Sequence, residues 1–211
     1  MAGSTVIHIL RHGQSLHNVD RNYPSRDPPL TELGETQAKS VNPIVADLIV
    51  ISPMTRTLQT ALLAFGPGIL EDPIRRPEIQ IWPDLREAHD AICNKGVSRA
   101  ELAAKFPMID FSNCDEEWDY PAHNVEGAVA RAERVRSRLK DLSGSYGNIF
   151  VVTHRGLVAF LVQGERFDVG ECRRYRFARE DEDMDGRRYG VNRDTGLMQD
   201  FGPSVLLPLE G

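Results

Sequence analysis

The sequence predicts an α/β protein of three layers, with helices covering both faces of a mostly parallel central sheet. Two observations carry that expectation. Short β-branched runs recur at Val6–Leu10, Leu48–Ile51, Ile79–Trp82 and Ile149–Thr153, each of the length and composition of a buried strand. Segments of helical period separate them, and strands alternating with helices assemble as parallel βαβ units. A chain of 211 residues, 41% apolar and 27% charged, has enough material for a substantial core.

The elements follow in order. Thr31–Ala38 is a polar-apolar stretch that opens a helix. Ser52-Pro53 reads as an N-cap followed by proline at the first helical position, starting a helix that runs to Phe65 and breaks at Gly66-Pro67-Gly68. Asn124 caps a long helix ending near Leu142. Its Val125, Ala128, Val129, Ala132, Val135, Leu139 and Leu142 share one face at the 3.6-residue period. The arginines between them, Arg131, Arg134, Arg136 and Arg138, are expected on its solvated face. Residues 1–178 form the main domain. Within it, about 88–123 read as a lid insertion, with a short helix near Ser98–Phe106 and an acidic, aromatic loop at Asp115–Tyr120. Residues 179–211 read as a polar C-terminal extension, disordered in part around Arg179–Gly186, whose Val205-Leu206-Leu207 end docks back.

A formal net charge of -6 argues against nucleic acid as a partner. It leaves room for a small phosphorylated ligand, which needs only a local cluster of cations. Cys93, Cys114 and Cys172 form no C-x-x-C pair, so neither structural zinc nor a disulfide framework is expected. No stretch has transmembrane length, and the first strand begins at Val6 without a signal pattern before it. The expectation is a cytoplasmic protein with no membrane partner; nothing in the sequence marks an oligomeric state.

Each strand-like run leads into polar, reactive residues. The first leads to Arg11-His12-Gly13, the second to Ser52 and Arg56, the third to Arg86-Glu87, and the fourth to Thr153-His154. Parallel strands place these ends on one edge, where open α/β sheets bind ligands. Two histidines, two or three arginines and one carboxylate suit phosphoryl transfer. Phosphoryl oxygens need cations around them, an in-line nucleophile and a proton donor for the leaving oxygen. His12 and His154 alone would read first as buried structural histidines, with a metal pair as the other reading; the converging arginines disfavour a metal dication.

The blocks around these residues are more specific. Leu10-Arg11-His12-Gly13-Gln14-Ser15 with Asn18, Pro29–Gly34 with Gln37-Ala38, Ser52–Ala61, Leu85-Arg86-Glu87 and Val152-Thr153-His154 stand in order along the chain. Together they resemble the histidine phosphatase superfamily, the phosphoglycerate mutase-like family, across roughly residues 5 to 177. Phe106-Pro107, Phe111-Ser112 and Trp118 resemble its fungal-type branch. The resemblance implies a phosphoglycerate mutase-like fold and a phosphatase that hydrolyses a phosphomonoester through a phosphohistidine on His12. In that reading Arg11, Arg56 and His154 hold the phosphoryl group, and Gln14 and Asn18 add secondary contacts. Glu87 protonates the leaving alkoxide and then activates water, which at neutral pH requires burial or nearby negative charge to hold its proton. No metal or cofactor is implied, because arginines take the cation's role.

Two departures matter. Arg155 stands where the family usually has a small residue after the second histidine; it either points to solvent or, the reading preferred here, adds a cation at the pocket rim that favours an acidic substrate. The block at Cys93–Gly96 also differs from the fungal pattern. The alternatives are a phosphoglycerate mutase-type transfer, or a relative that binds a phosphorylated ligand without turnover. Glu87 is followed by Ala88-His89-Asp90-Ala91-Ile92, without the arginine- and tyrosine-rich segment of the mutases, which favours the phosphatase. His8 is expected to pack or to support the nucleophile, and His17 to be a loop residue. His89 and His123 belong to the lid, with substrate contact and simple exposure both open.

Overall fold

The computed structural model describes residues 5–41, 45–66, 76–119, 123–179, 182 and 185–209. Val6–Arg11 (β1), Leu48–Ile51 (β2), Glu78–Ile81 (β3) and Asn148–Thr153 (β4) are the four strands expected from the apolar runs. They lie side by side and parallel, in the order β3-β2-β4-β1. Two further strands, Cys172–Phe177 (β5) and Leu206–Pro208 (β8), extend the sheet antiparallel beyond β1. The sequence gives little sign of β5, because Cys-Arg-Arg-Tyr-Arg-Phe alternates around arginine rather than around β-branched residues. Between β5 and β8, Tyr189–Val191 (β6) and Met198–Asp200 (β7) pair as a separate two-stranded hairpin.

Side chains leave the strands alternately to two cores, as a period of two requires. Ile7, Ile9, Val50, Ile149 and Val151 enter one core. They meet Ala128, Ala132, Val135 and Leu139 of the helix Val125–Leu142, and Leu157, Phe160 and Leu161 of Arg155–Leu161. Leu10, Ile49, Ile51, Phe150 and Val152 enter the other, against Leu58 and Ala61 of Thr55–Phe65. In chain order the helices are Leu16–Val19 (α1), Glu32–Ser40 (α2), Thr55–Phe65 (α3), Arg99–Lys105 (α4), Val125–Leu142 (α5), Arg155–Leu161 (α6) and Asp185–Arg188 (α7).

Leu102, Phe106, Ile109, Phe111 and Trp118 of the stretch after Glu87 join the second core. Exposing one such side chain costs about 1.5–3 kcal/mol, so this stretch stands as a fixed wall beside the sheet edge. A capping box at Ser98 and Glu101 starts its helix α4. Tyr120, of the acidic loop, lies outside the described residues, as do Pro67, Gly68, Glu180, Asp181, Asp183 and Met184.

Two local readings are corrected. Ser52 does not cap α3: its N–H still donates to Val152 in the sheet, so the helix starts only at Thr55. Asp27 supplies the cap from a distant loop, its carboxylate accepting from Thr55 N at 2.8 Å and Thr55 Oγ1 at 2.6 Å. Nor are all the α5 arginines solvated, for Arg131 and Arg136 are 3% and 0% exposed. Arg131 donates to the carbonyls of Asp84, Arg86 and Glu87, and Arg136 to those of Phe160 and Leu161. A stem that crosses an apolar face and ends on unpaired carbonyls is a stable place for a guanidinium. Asn124 caps α5 as expected, accepting from Gly127 N.

Candidate active site

Because Arg11 pairs with Thr153, and Ser52 N bonds Val152, the ends of β1, β2 and β4 stop level with one another. His12, Ser52 and His154 therefore emerge at one edge, above a cleft of about 590 Å³. Arg11, His12, Glu87, Asn18 and Arg155 line it, while Arg56 and His154 lie beneath with no exposed surface.

His12 is held in one tautomer. Its Nδ1 lies 2.7 Å from the Gly13 carbonyl, which can only accept, so Nδ1 carries the proton and Nε2 keeps its lone pair. Burial, then the charges of Arg56 and Arg11, hold this imidazole neutral, well below the ordinary histidine range. Its turn is fixed by close backbone packing: a Cβ on Gly13 would sit 2.4 Å from Gly34 O, and one on Gly34 would sit 1.9 Å from Gln14 O. Only glycine at both positions allows β1 and α2 to approach this far.

The His154 ring centroid is 5.2 Å from that of His12. Its Nε2 meets Ser52 Oγ at 2.8 Å, and its buried Nδ1 has no partner among the described residues. Burial and then Arg56 also hold it neutral. Arg56 donates to Cys93 O and to Asn94 Oδ1, both at 3.1 Å, so the wall after Glu87 fixes the guanidinium. Arg11 donates to Phe167 O at 2.7 Å. Burial, then Arg155, bring Arg11 down to about 10, still charged at neutral pH.

Glu87 sits at the start of α6. Its carboxylate accepts from Ala88 N at 2.6 Å, Leu157 N at 3.0 Å and Gly156 N at 3.2 Å. A Cβ on Gly156 would lie 2.1 Å from Oε1, so this glycine makes the space the carboxylate fills. From behind, Arg131 Nη2 and His123 Nδ1 each donate to the Glu87 carbonyl at 3.1 Å. His123 is thus a buried strut rather than an exposed lid residue.

The remaining candidates divide. Asn18 reaches the cleft, but its amide is shared with Ser15 and His17 in a closed network. Gln14 does not reach it: Gln14 Oε1 accepts from Thr31 Oγ1 at 2.9 Å, which turns the side chain toward α2. His17 lines the cleft, and burial with Arg56, Arg11 and Arg155 nearby drives its imidazole down to about 3. His8 points away from the site, stacked on Phe150 and bonded to Asn148; it packs. Arg155 is half-exposed at the rim, where Arg21, His89 and Arg166 join it.

Sequence reading did not find Arg21, Arg166, Asn94 or Gly156. Gly156 had a signal, one residue past the expected small position after His154. Arg166 had none, since a loop arginine carries no periodicity. Among the described residues no three His, Cys, Asp or Glu side chains group to hold a metal ion, and no helix is long and apolar enough to cross a membrane.

The sequence profile of the histidine phosphatase superfamily (branch 1) matches residues 7–178. A protein of Schizosaccharomyces pombe named as a probable phosphatase is 32% identical over 123 residues, covering 54% of this chain and 56% of its own length. The chain thus spans little more than half of that relative. Phosphoglycerate mutase-like protein 1 of Arabidopsis thaliana is 38% identical over 204 residues, covering 72% of this chain and 68% of its own length. Among solved structures, the ecdysone phosphate phosphatase of Bombix mori superposes with a TM-score of 0.60 at 18% identity, over 82% of this chain and 89% of that one. At that identity the likeness is one of fold: an α/β protein with a mostly parallel central sheet.

Proposed function

The chain belongs to the histidine phosphatase superfamily, and from that premise we propose that it is a phosphomonoesterase working through a phosphohistidine on His12. The observation that carries the proposal is the His12 ring: neutral, buried, tautomer fixed by Gly13 O, and flanked by Arg11 and Arg56. A nitrogen with a free lone pair among guanidinium groups is a nucleophile for phosphorus and for little else.

Phosphoryl oxygens settle against Arg11, Arg56 and the Nδ1–H of His154, in the tautomer whose Nε2 accepts from the Ser52 hydroxyl. His12 Nε2 attacks phosphorus in line, and the bond from phosphorus to the leaving oxygen breaks. Charge developing on the equatorial oxygens is met by fixed cations that need no reorganisation. Glu87 gives a proton to the leaving alkoxide. The resulting carboxylate then takes a proton from water, whose oxygen attacks phosphorus as the Nε2–P bond breaks. Phosphate leaves and His12 returns neutral.

We favour hydrolysis over transfer back to substrate because Glu87 is followed by Ala88-His89-Asp90-Ala91-Ile92, without the arginine- and tyrosine-rich segment of the mutases. The experiment is a phosphohistidine trap with an aryl phosphate. Wild type should release phosphate and show a transient acid-labile label; His12→Ala should show neither, with turnover down by about four orders of magnitude or more. Label without release of phosphate to water would turn the reading toward a mutase. Phosphate release undiminished in His12→Ala would end it.

A further inference from the structure

The cationic side chains at the cleft mouth come from four separate segments: Arg21, His89, Arg155 and Arg166. The acid set among them, Asp194, belongs to none of the matched blocks. It lies in the turn between β6 and β7, beyond residues 7–178 of the family match. Its side chain is 2% exposed. It meets His89 Nε2 at 2.6 Å, Arg166 Nη2 at 3.5 Å and Arg155 Nε at 3.9 Å.

The turn is anchored to the helix that carries Arg155. Asn192 Oδ1 accepts from Asp194 N and Thr195 N, and its Nδ2 donates to Gln199 Oε1. Gln199 Nε2 in turn donates to Phe160 O, within α6. One carboxylate among three cationic partners leaves the mouth positive, and Arg21 pairs with no acid among the described residues. Arg155 and Arg166 are half-exposed, and their long contacts to Asp194 orient the guanidinium groups without saturating their donors. The hydrogen bond to Asp194 also raises the His89 imidazole above its ordinary range, favouring its charged form.

We propose that this rim is a second anion subsite, built on the C-terminal hairpin. It selects small phosphomonoesters whose leaving group carries a further negative group, a carboxylate or a second phosphate. The inference rests on the phosphatase reading only for the seat of the first phosphoryl group. A positive mouth in a chain of net charge -6 focuses field lines on the cleft, and a guanidinium fork can donate two parallel hydrogen bonds to a carboxylate or to a phosphate.

Calorimetric titration at fixed ionic strength tests it with three probes whose C–P bonds resist hydrolysis: ethylphosphonate, phosphonoacetate and 1,3-propanediphosphonate. One doubly anionic probe should bind wild type about tenfold tighter than ethylphosphonate, or more. That ratio should collapse to about one in Arg155→Ala/Arg166→Ala and fall part of the way in Asp194→Asn. The probe with the larger ratio tells carboxylate from phosphate. Probes that bind wild type equally, or lose affinity equally in the double variant, overturn the subsite. Failure of the phosphatase reading looks different: aryl phosphate is not turned over, while the ratio of affinities persists.

Discussion

The floor of the cleft takes His12, Arg56 and His154 from strand ends and a helix start, all wholly or nearly wholly buried, whereas its mouth takes Arg21, Arg155 and Arg166 from half-exposed or exposed surface. In the floor, burial does the electrostatic work. It keeps two imidazoles neutral beside two guanidinium groups, and the arginine positions are set by backbone carbonyls. At the mouth, one buried carboxylate orients cations that stay in contact with water. The difference separates what must be invariant during the chemistry from what can adapt to a ligand. Floor and mouth cations alike lie within residues 7–178, while the acid that orients the mouth, Asp194, lies beyond them.

Arg56→Lys keeps the charge but loses the fork that reaches Cys93 O and Asn94 Oδ1. It should lower kcat on an aryl phosphate by about 10²–10³-fold; a loss under tenfold would mean the floor tolerates adjustment as the mouth does.

Acid should come next. His12 and His154 have folded pKa values held below the unfolded value of about 6.5. The unfolded chain therefore binds more protons as pH falls below that point. Their contribution to stability is present above pH 6.5 and is lost below it, at up to about 1.4 kcal/mol per pH unit for each ring. His89 at the mouth has the opposite sign, since its raised value makes its small contribution present in acid and lost as pH rises. Urea unfolding at pH 7, 6 and 5 reads the sum, which should fall steeply; a flat profile would contradict the neutral, buried pair.

The smallest break is Gly156→Ala. The added methyl lies 2.1 Å from Glu87 Oε1, so the carboxylate must move. Turnover of an alkyl phosphate should fall by about tenfold to a hundredfold. A p-nitrophenyl ester, whose leaving group needs little protonation, should be affected less. Equal losses on both esters would assign the effect to the floor instead.

The parallel half of the sheet was legible because β1, β2 and β4 are apolar runs and β3 alternates around Ile79 and Ile81, each leading to reactive residues at or beyond its end. The antiparallel half was not, because β5 is written in arginines and β8 is only three residues long. The same divide governs the site. His12, Arg56, Glu87 and His154 stand at strand ends or in the first turn after them, where position itself points to function. Asp194 and Arg166 sit in loops, and tertiary contact alone brings them to the cleft. Gln14 was misplaced for a related reason: adjacency to His12 in sequence does not decide which way a side chain leaves a tight turn, and Thr31 captured it.

The two buried arginines of α5 carry a lesson for anyone altering this helix. Its sequence invites treatment as an amphipathic rod whose charged residues can be exchanged for solubility or crystallisation. Arg134, paired with Asp84 on the outside, can be exchanged that way. Arg131 and Arg136 cannot, even for lysine: a single ammonium does not span the three carbonyls that Arg131 gathers. Reading the helix by charge alone would therefore unseat the loop behind Glu87 in the name of improving a surface.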